Sequence, residues 1–426
     1  MRTQVLSIPN ISVAKTPSFQ ADFFCYLCTM TAVSTPKVIL SKGREDSVKR
    51  YHPWIFSGAI ERVEGKVIEG DRVDILDYRG NYLATGFAAQ GSIAVKVFWF
   101  GPQKPPADIW YHKISNAFRL RQSLGFTNNP HSNTYRLVFS EADGLPGLVI
   151  DYYNGVAVIQ AHSLGMHLVR REICDALLKL YSKDLIAVYD KSKEALAKSG
   201  AESEGDSFLY GSTDELIVTE NGHRFYIDFI EGQKTGFFLD QRNNRALLGS
   251  YSANKKVLNV FCYTGGFSIY ALAAGATHVT SLDASKKAID SLEKNLTLNS
   301  GFKGTHTSVV ADAKVWLPGM DDNYDIIVLD PPAFAKRQSD RHKALQGYKF
   351  INQTAISKIK PGGLLFTFSC SQAISKEQFT SMIMASALEA KRNVRIIHHM
   401  GHSADHPVSI FHPEGEYLKG LVLIID

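Results

Sequence analysis

From Lys256 onward, short apolar runs alternate with turns and helix-period stretches, and that rhythm restricts the chain to one class of fold. Residues 256–260, 324–329 and 364–368 read as buried strands. Helices are expected at 268–274 and 286–299, and further strands at 280–283 and 307–310. Strand–helix–strand alternation is the pattern of a doubly wound, mostly parallel sheet, in which ligands bind beyond the carboxyl ends of the strands. Three strand tips should therefore converge on one crevice. They are the turn Phe261-Cys262-Tyr263-Thr264-Gly265-Gly266-Phe267, the stiff turn Asp330-Pro331-Pro332-Ala333-Phe334, and Ser369-Cys370-Ser371.

A chain of 426 residues is longer than one core usually organises. The reading is a disordered extension over 1–34, a strand-rich domain over 35–106, a central α/β domain over 107–220 and the sheet domain over 221–426. Turn signals recur between residues 64 and 91, and the segments 72–77 and 92–98 alternate apolar with polar residues, as strands of a small β-barrel do. An amphipathic helix is expected at 108–124, closed by Gly125, and strands at 135–139, 148–152, 156–160 and 185–190. A helix is expected at 166–181, and the polar stretch 191–206 reads as a mobile loop.

The net charge of +5 permits a nucleic-acid partner without demanding one. No apolar run approaches the ~20 residues of a membrane helix. Five cysteines at irregular spacing make no disulfide framework, so a reducing cytoplasm is expected. Cys25 and Cys28 form a lone CxxC without a second ligand pair, which argues against zinc, and no metal is expected. Met30 is a candidate alternative start.

Gly265 and Gly266 let the backbone approach a ligand at a helix N-terminus, but neither GxGxxG nor GK[ST] is present, which argues against a dinucleotide or ATP. Asp283 ends the next strand, where a carboxylate can accept from both hydroxyls of a ribose; as a structural residue it would cap the following helix. Asp312, at another tip, can meet an adenine amine.

These motifs sit with Arg50-Tyr51-His52-Pro53-Trp54-Ile55-Phe56-Ser57-Gly58-Ala59-Ile60, Glu141-Ala142-Asp143-Gly144-Leu145-Pro146-Gly147-Leu148 and the segment from Gly232 to Arg242. Together they make the chain from about Val38 resemble the bacterial 23S ribosomal RNA large-subunit methyltransferase I family, which makes 5-methylcytosine. The resemblance implies a Rossmann-like class I methyltransferase domain, α/β in class, preceded by a small β-barrel (PUA-like) domain and a central α/β domain. It implies S-adenosyl-L-methionine as cofactor. By it, the turn from Phe261 through Cys262, Tyr263 and Gly265 to Gly266 holds the methionine part, Asp283 the ribose and Asp312 the adenine. Asp240 and Gln241 contribute as a lid, and Asp330 borders the same pocket. The alternative for Asp240-Gln241-Arg242 is a capped helix start packed on the sheet. The stretch after Ser192 is less basic than in the family.

C5 of cytosine is a poor nucleophile. A thiolate added at C6 turns the ring into an enamine whose C5 can attack a methyl donor. Cys370 suits that addition, with Ser369 and Ser371 expected to donate to the sulfur. Asp330 can accept from the exocyclic amine or hold N3 protonated, and Phe334 stacks on the base or packs in the core. Cys262 is the rival thiol. RNA, most plausibly 23S ribosomal RNA, would meet Lys42, Arg44 and Arg50 in the first domain and Lys336, Arg337 and Arg341 at the mouth of the crevice; Trp54 and Phe56 are expected in the core. The oligomeric state is open, a homodimer included. Two other readings stand beside this one: guanine methylation, which has no use for the thiol, and a non-catalytic RNA-binding assembly factor.

Overall fold

The computed structural model describes residues 35–200, 204–321, 323–335 and 337–426. The expected extension, with Cys25, Cys28 and Met30, and the side chain of Lys336 lie outside the described residues. Residues from Pro36 to Asp426 form one compact unit.

The first six strands are β1 (Lys37–Leu40), β2 (Trp54–Phe56), β3 (Ile60–Glu64), β4 (Arg72–Leu76), β5 (Tyr82–Ala88) and β6 (Ile93–Phe100). They form one sheet in the order β2-β6-β5-β4-β1-β3, antiparallel except for β1 with β4. Alternation is broken at Asp74, which is buried between Val73 and Ile75 because Thr85 and the Lys104 ammonium bond its carboxylate. Trp54 is half-buried, its indole donating to Glu141 at 3.0 Å, but Phe56 is exposed, not in the core as expected.

Strands β7 (Thr134–Phe139), β8 (Leu148–Tyr153), β9 (Val156–Ala161), β10 (Ala187–Asp190) and β11 (Ser207–Gly211) form the central sheet in the order β11-β10-β9-β8-β7. Period-two alternation assigns the faces of β9. Ala157 and Ile159 join a core with the helices Ile109–Ser123 and Arg170–Tyr181. Val156 and Val158 join another with Phe225, Phe229, Phe237, Ile269 and Tyr270. A strand buried on both faces reads as a continuous apolar run, as this one does. The expected helix over 166–181 breaks at Val169 into Leu164–Leu168 and Arg170–Tyr181. The expected mobile loop after Asp190 instead opens with the helix Lys193–Ser199. Lys191 is buried there and donates to the Gly232 carbonyl, so its polarity reflects bonding to the next segment, not solvent.

A hairpin of β12 (Ile217–Glu220) and β13 (His223–Tyr226) precedes the last sheet. That sheet contains β14 (Lys256–Val260), β15 (His278–Asp283), β16 (Thr305–Val310), β17 (Ile326–Leu329), β18 (Gly363–Ser369), β19 (Val394–Met400) and β20 (Lys419–Ile425). Its order is β16-β15-β14-β17-β18-β20-β19; β14 to β18 run parallel and β20 is antiparallel to both its neighbours. The connections reverse direction at β14, whose neighbours are β15 and β17, and that switch point is where an open α/β sheet leaves a crevice. No helix among the described residues is long and apolar enough to cross a membrane.

Candidate active site

The turn after β14 is tight because three residues take positive φ: Phe261 (61°), Tyr263 (48°) and Gly265 (81°). Left-handed backbone at a bulky residue is strained and persists only where its surroundings hold it. Asp283 supplies part of the hold. One carboxylate oxygen accepts from the Tyr263 amide at 3.0 Å and the other from the Ser285 amide at 2.9 Å. The cap of the next helix is Ser285, not Asp283. Asp312 does cap a helix, accepting from the Lys314 amide at 2.8 Å. Both carboxylates line one cavity of about 780 Å³, together with Phe261, Cys262, Tyr263 and Gly266. Gly265 does not line it. A Cβ there would stand 1.9 Å from Leu292 Cδ1, so this glycine serves the turn and its packing.

Asp240, Gln241 and Asp330 line the same cavity. Asp240 is buried: one oxygen accepts from the Tyr417 hydroxyl at 2.5 Å, and Oδ1 has no protein partner. Burial pushes its carboxyl up, but the Lys234 ammonium and His406 outweigh it and bring it down to about 2. Neither Asp240 nor Gln241 caps the helix Arg242–Tyr251 through its side chain, so the capped-helix alternative is not what forms. Gln241 instead donates to Asp330 at 3.0 Å. Burial first, then the Asp240 charge, push the Asp330 carboxyl up to about 7.

Cys370 follows β18, its sulfur 3.9 Å from the Pro331 carbonyl. The serines do not donate to it. Ser371 Oγ donates to the Ala335 carbonyl at 2.7 Å, and Ser369 Oγ accepts from the Ser371 amide at 3.4 Å, so both brace the turn. Burial and the neighbouring Asp330 carboxylate push the Cys370 thiol up to about 11. Burial, with Asp283, pushes Cys262 well above its ordinary value, and its sulfur faces the Tyr263 carbonyl at 3.7 Å. Phe334 lines the cavity but packs on Tyr348, ring centroids 4.6 Å apart. Lys42, Arg44, Arg50, Arg337 and Arg341 are exposed and lie outside the cavity lining. Spacing gave no sign of two lining residues: Lys234, whose ammonium stands 4.7 Å from the Phe238 ring centroid and 5.7 Å from that of Tyr417, and Tyr417 itself, delivered by the last crossing of the chain.

The profile of S-adenosylmethionine-dependent methyltransferases matches residues 202–406, and that of PUA-like domains matches 38–100. A Tolumonas auensis protein named ribosomal RNA large subunit methyltransferase I is 39% identical over 394 residues, 91% of this chain and 98% of its own. Its namesake from Aeromonas hydrophila is 38% identical over 395 residues, 91% of this chain and 98% of its own. The chain belongs to the ribosomal RNA large subunit methyltransferase I family. A Streptococcus mutans structure described as a SAM-dependent methyltransferase shares the fold, with a TM-score of 0.75 at 22% identity over 91% of this chain and 99% of that one. SMU.776, a methyltransferase solved with SAH, has a TM-score of 0.77 at 21% identity, covering 91% and 99%.

The family's cofactor is S-adenosylmethionine, and the cavity's donor set fits it. An orphaned carboxylate oxygen on buried Asp240 suits a cationic group, and the acidic tips Asp283 and Asp312 suit hydroxyl and amine donors.

Proposed function

We propose that this protein methylates C5 of a cytosine in large-subunit ribosomal RNA, with Cys370 as nucleophile. One observation carries the reading: a thiol and a buried carboxyl, pushed up to about 7 by burial and the Asp240 charge, border one cavity, the sulfur resting on the turn that Asp330 opens. S-adenosylmethionine, when bound, supplies an electrophilic methyl group. The chain's own residues do the rest. Cys370 gives its proton to solvent, and the thiolate sulfur bonds to C6, breaking the C5–C6 π bond. The displaced electron pair reaches N3, and Asp330, protonated near neutral pH, gives N3 its proton. After methyl transfer a base removes the C5 proton, the C5–C6 double bond re-forms, the thiolate leaves and N3 returns its proton to Asp330. In this reading Asp283, Asp312 and the Phe261–Gly266 turn hold the cofactor, and Lys42, Arg44, Arg50, Arg337 and Arg341 meet the phosphates.

RNA carrying 5-fluorocytosine at the target should trap a covalent complex, because fluorine blocks the proton loss that precedes thiol release. Cys370→Ala should abolish both the complex on a denaturing gel and methylation, while Cys262→Ala keeps the complex. Full methylation by Cys370→Ala would leave the thiol without a task and favour guanine as substrate.

A further inference from the structure

Gln241 and Asp330 line the cavity, whereas Asn244, which holds Gln241, does not. Gln241 ends the short turn Leu239–Gln241, and Asn244 lies three residues on, in the first turn of the helix Arg242–Tyr251, where residues at that spacing meet. Both side chains are buried. Asn244 Nδ2 donates to the Gly401 carbonyl at 3.1 Å and to Gln241 Oε1 at 2.6 Å. Gln241 Nε2 in turn donates to Asp330 Oδ2 at 3.0 Å. The sense of this relay is fixed from its far end. A backbone carbonyl only accepts, so Asn244 must turn its NH2 group to Gly401, the residue after β19. The second proton of that group meets Gln241, which must present its oxygen there and has only its own NH2 left for Asp330. Both amides are neutral, so the relay points the same way at every pH. Gln241 is the one hydrogen-bond partner of the Asp330 carboxyl among the described residues, and Oδ1 has none.

We infer that Gln241 is a positioning residue for proton transfer: it holds Oδ2 of Asp330 as an acceptor, so that Oδ1 is the oxygen that carries the proton to the substrate base. The inference rests on Asp330 acting as the acid at N3. A carboxyl without a fixed partner carries its proton on either oxygen and turns either edge to a ligand. An N–H aimed at Oδ2 keeps the proton off that oxygen, because two donors do not share one contact. The acid proton is thereby confined to Oδ1. As the adduct forms, the Oδ1–H bond breaks and N3–H forms, and the carboxylate left behind keeps the Gln241 N–H; on release the same proton returns to Oδ1. The bond also acts on acidity. A donor to a carboxylate favours its ionised form, so Gln241 opposes the rise that burial and Asp240 impose, as Lys234 and Arg245 do. Cys370 and Tyr348 are the other titratable groups facing this carboxyl.

The test uses the full chain with S-adenosylmethionine and RNA carrying 5-fluorocytosine, and follows the rate of adduct trapping at pH 6, below the Asp330 value with or without the Gln241 donor. The protonated fraction is then the same in each protein, and a change in rate reports orientation. Gln241→Met keeps the length of the side chain and removes the N–H. It should trap roughly 10- to 100-fold more slowly, the loss expected when a reacting group is free to turn away. Gln241→Glu should restore the rate at pH 6, because a protonated carboxyl presents the same pair of groups, a carbonyl for Asn244 and an O–H for Asp330. Wild-type speed in Gln241→Met, or no recovery in Gln241→Glu, overturns the inference and leaves Gln241 a packing residue. A second readout needs no RNA. Carbon NMR of labelled aspartate should place the Asp330 midpoint about one unit higher in Gln241→Met, since a bond to the carboxylate is lost. An unmoved midpoint also overturns the inference. Failure of the cytosine reading looks different: a wild type that forms no adduct refutes that reading and the catalytic role with it, and the midpoint alone then decides whether Gln241 holds the carboxyl.

Discussion

Asp330 is a carboxyl held against its own ionisation, and its pH dependence has a definite sign. Its folded value of about 7 lies above the unfolded value near 4, so its favourable contribution is complete below pH 4 and is lost as pH rises through 7. Asp330→Asn should therefore stabilise the cofactor-free protein at pH 8 by on the order of 1–2 kcal/mol and have little effect at pH 4.5. Urea unfolding at the two values measures the difference, and an equal effect at both would contradict the raised pKa. Gly265 tests packing at the same scale. Gly265→Ala should cost roughly 2–4 kcal/mol through the left-handed backbone and the clash with Leu292. Thermal melting and cofactor calorimetry together report it, because the loss should appear in stability. Sequence marks Asp330 and Gly265 as strand-tip residues. The partner that raises Asp330, Asp240, lies one whole crossing of the sheet earlier, where spacing says nothing about proximity.

At the scale of elements, one buried carboxylate ties the β12–β13 hairpin to the last sheet. Glu220, at the end of β12, accepts from Arg245 at 2.8 and 2.7 Å, from Arg242 at 3.2 Å and from the Tyr270 hydroxyl at 3.0 Å. Arg242 also meets Asp405, which accepts from the Arg136 amide of the central sheet at 3.0 Å. Glu220→Ala strands two buried guanidinium groups and should cost about 3–5 kcal/mol, measurable by denaturant titration. A loss under about 1 kcal/mol would mean that water reaches the arginines. Bonding between distant segments also explains one error of element assignment. Lys191 and Ser192 resemble loop when read by hydropathy, yet each is satisfied by a partner distant in sequence. Continuous apolar strands such as β9 and β14 are legible because burial on both faces leaves only one composition available.

For the whole molecule, the first sheet is not a detachable module. Phe87 and Phe98 leave it to join the core beneath Trp110, and Trp54 bonds Glu141. Deleting the first hundred residues would uncover that core, so charge reversal is the cleaner test of RNA binding. Lys42→Glu, Arg44→Glu and Arg50→Glu together should weaken RNA affinity and reduce the salt slope by about one unit for each phosphate that is no longer neutralised. Cofactor binding, followed by calorimetry, should be unchanged. Equal affinity and slope would place the RNA on another face. By itself the sequence determined the parallel sheet, its three ligand-facing tips and the thiol beside the Asp-Pro-Pro turn, because periodicity and turn chemistry are local properties of a chain. Only the tertiary structure decided the electrical state of those tips. Asp240, Lys234 and Tyr417 come from segments far from those tips in sequence, and charges act through distance in space and through the water that burial removes.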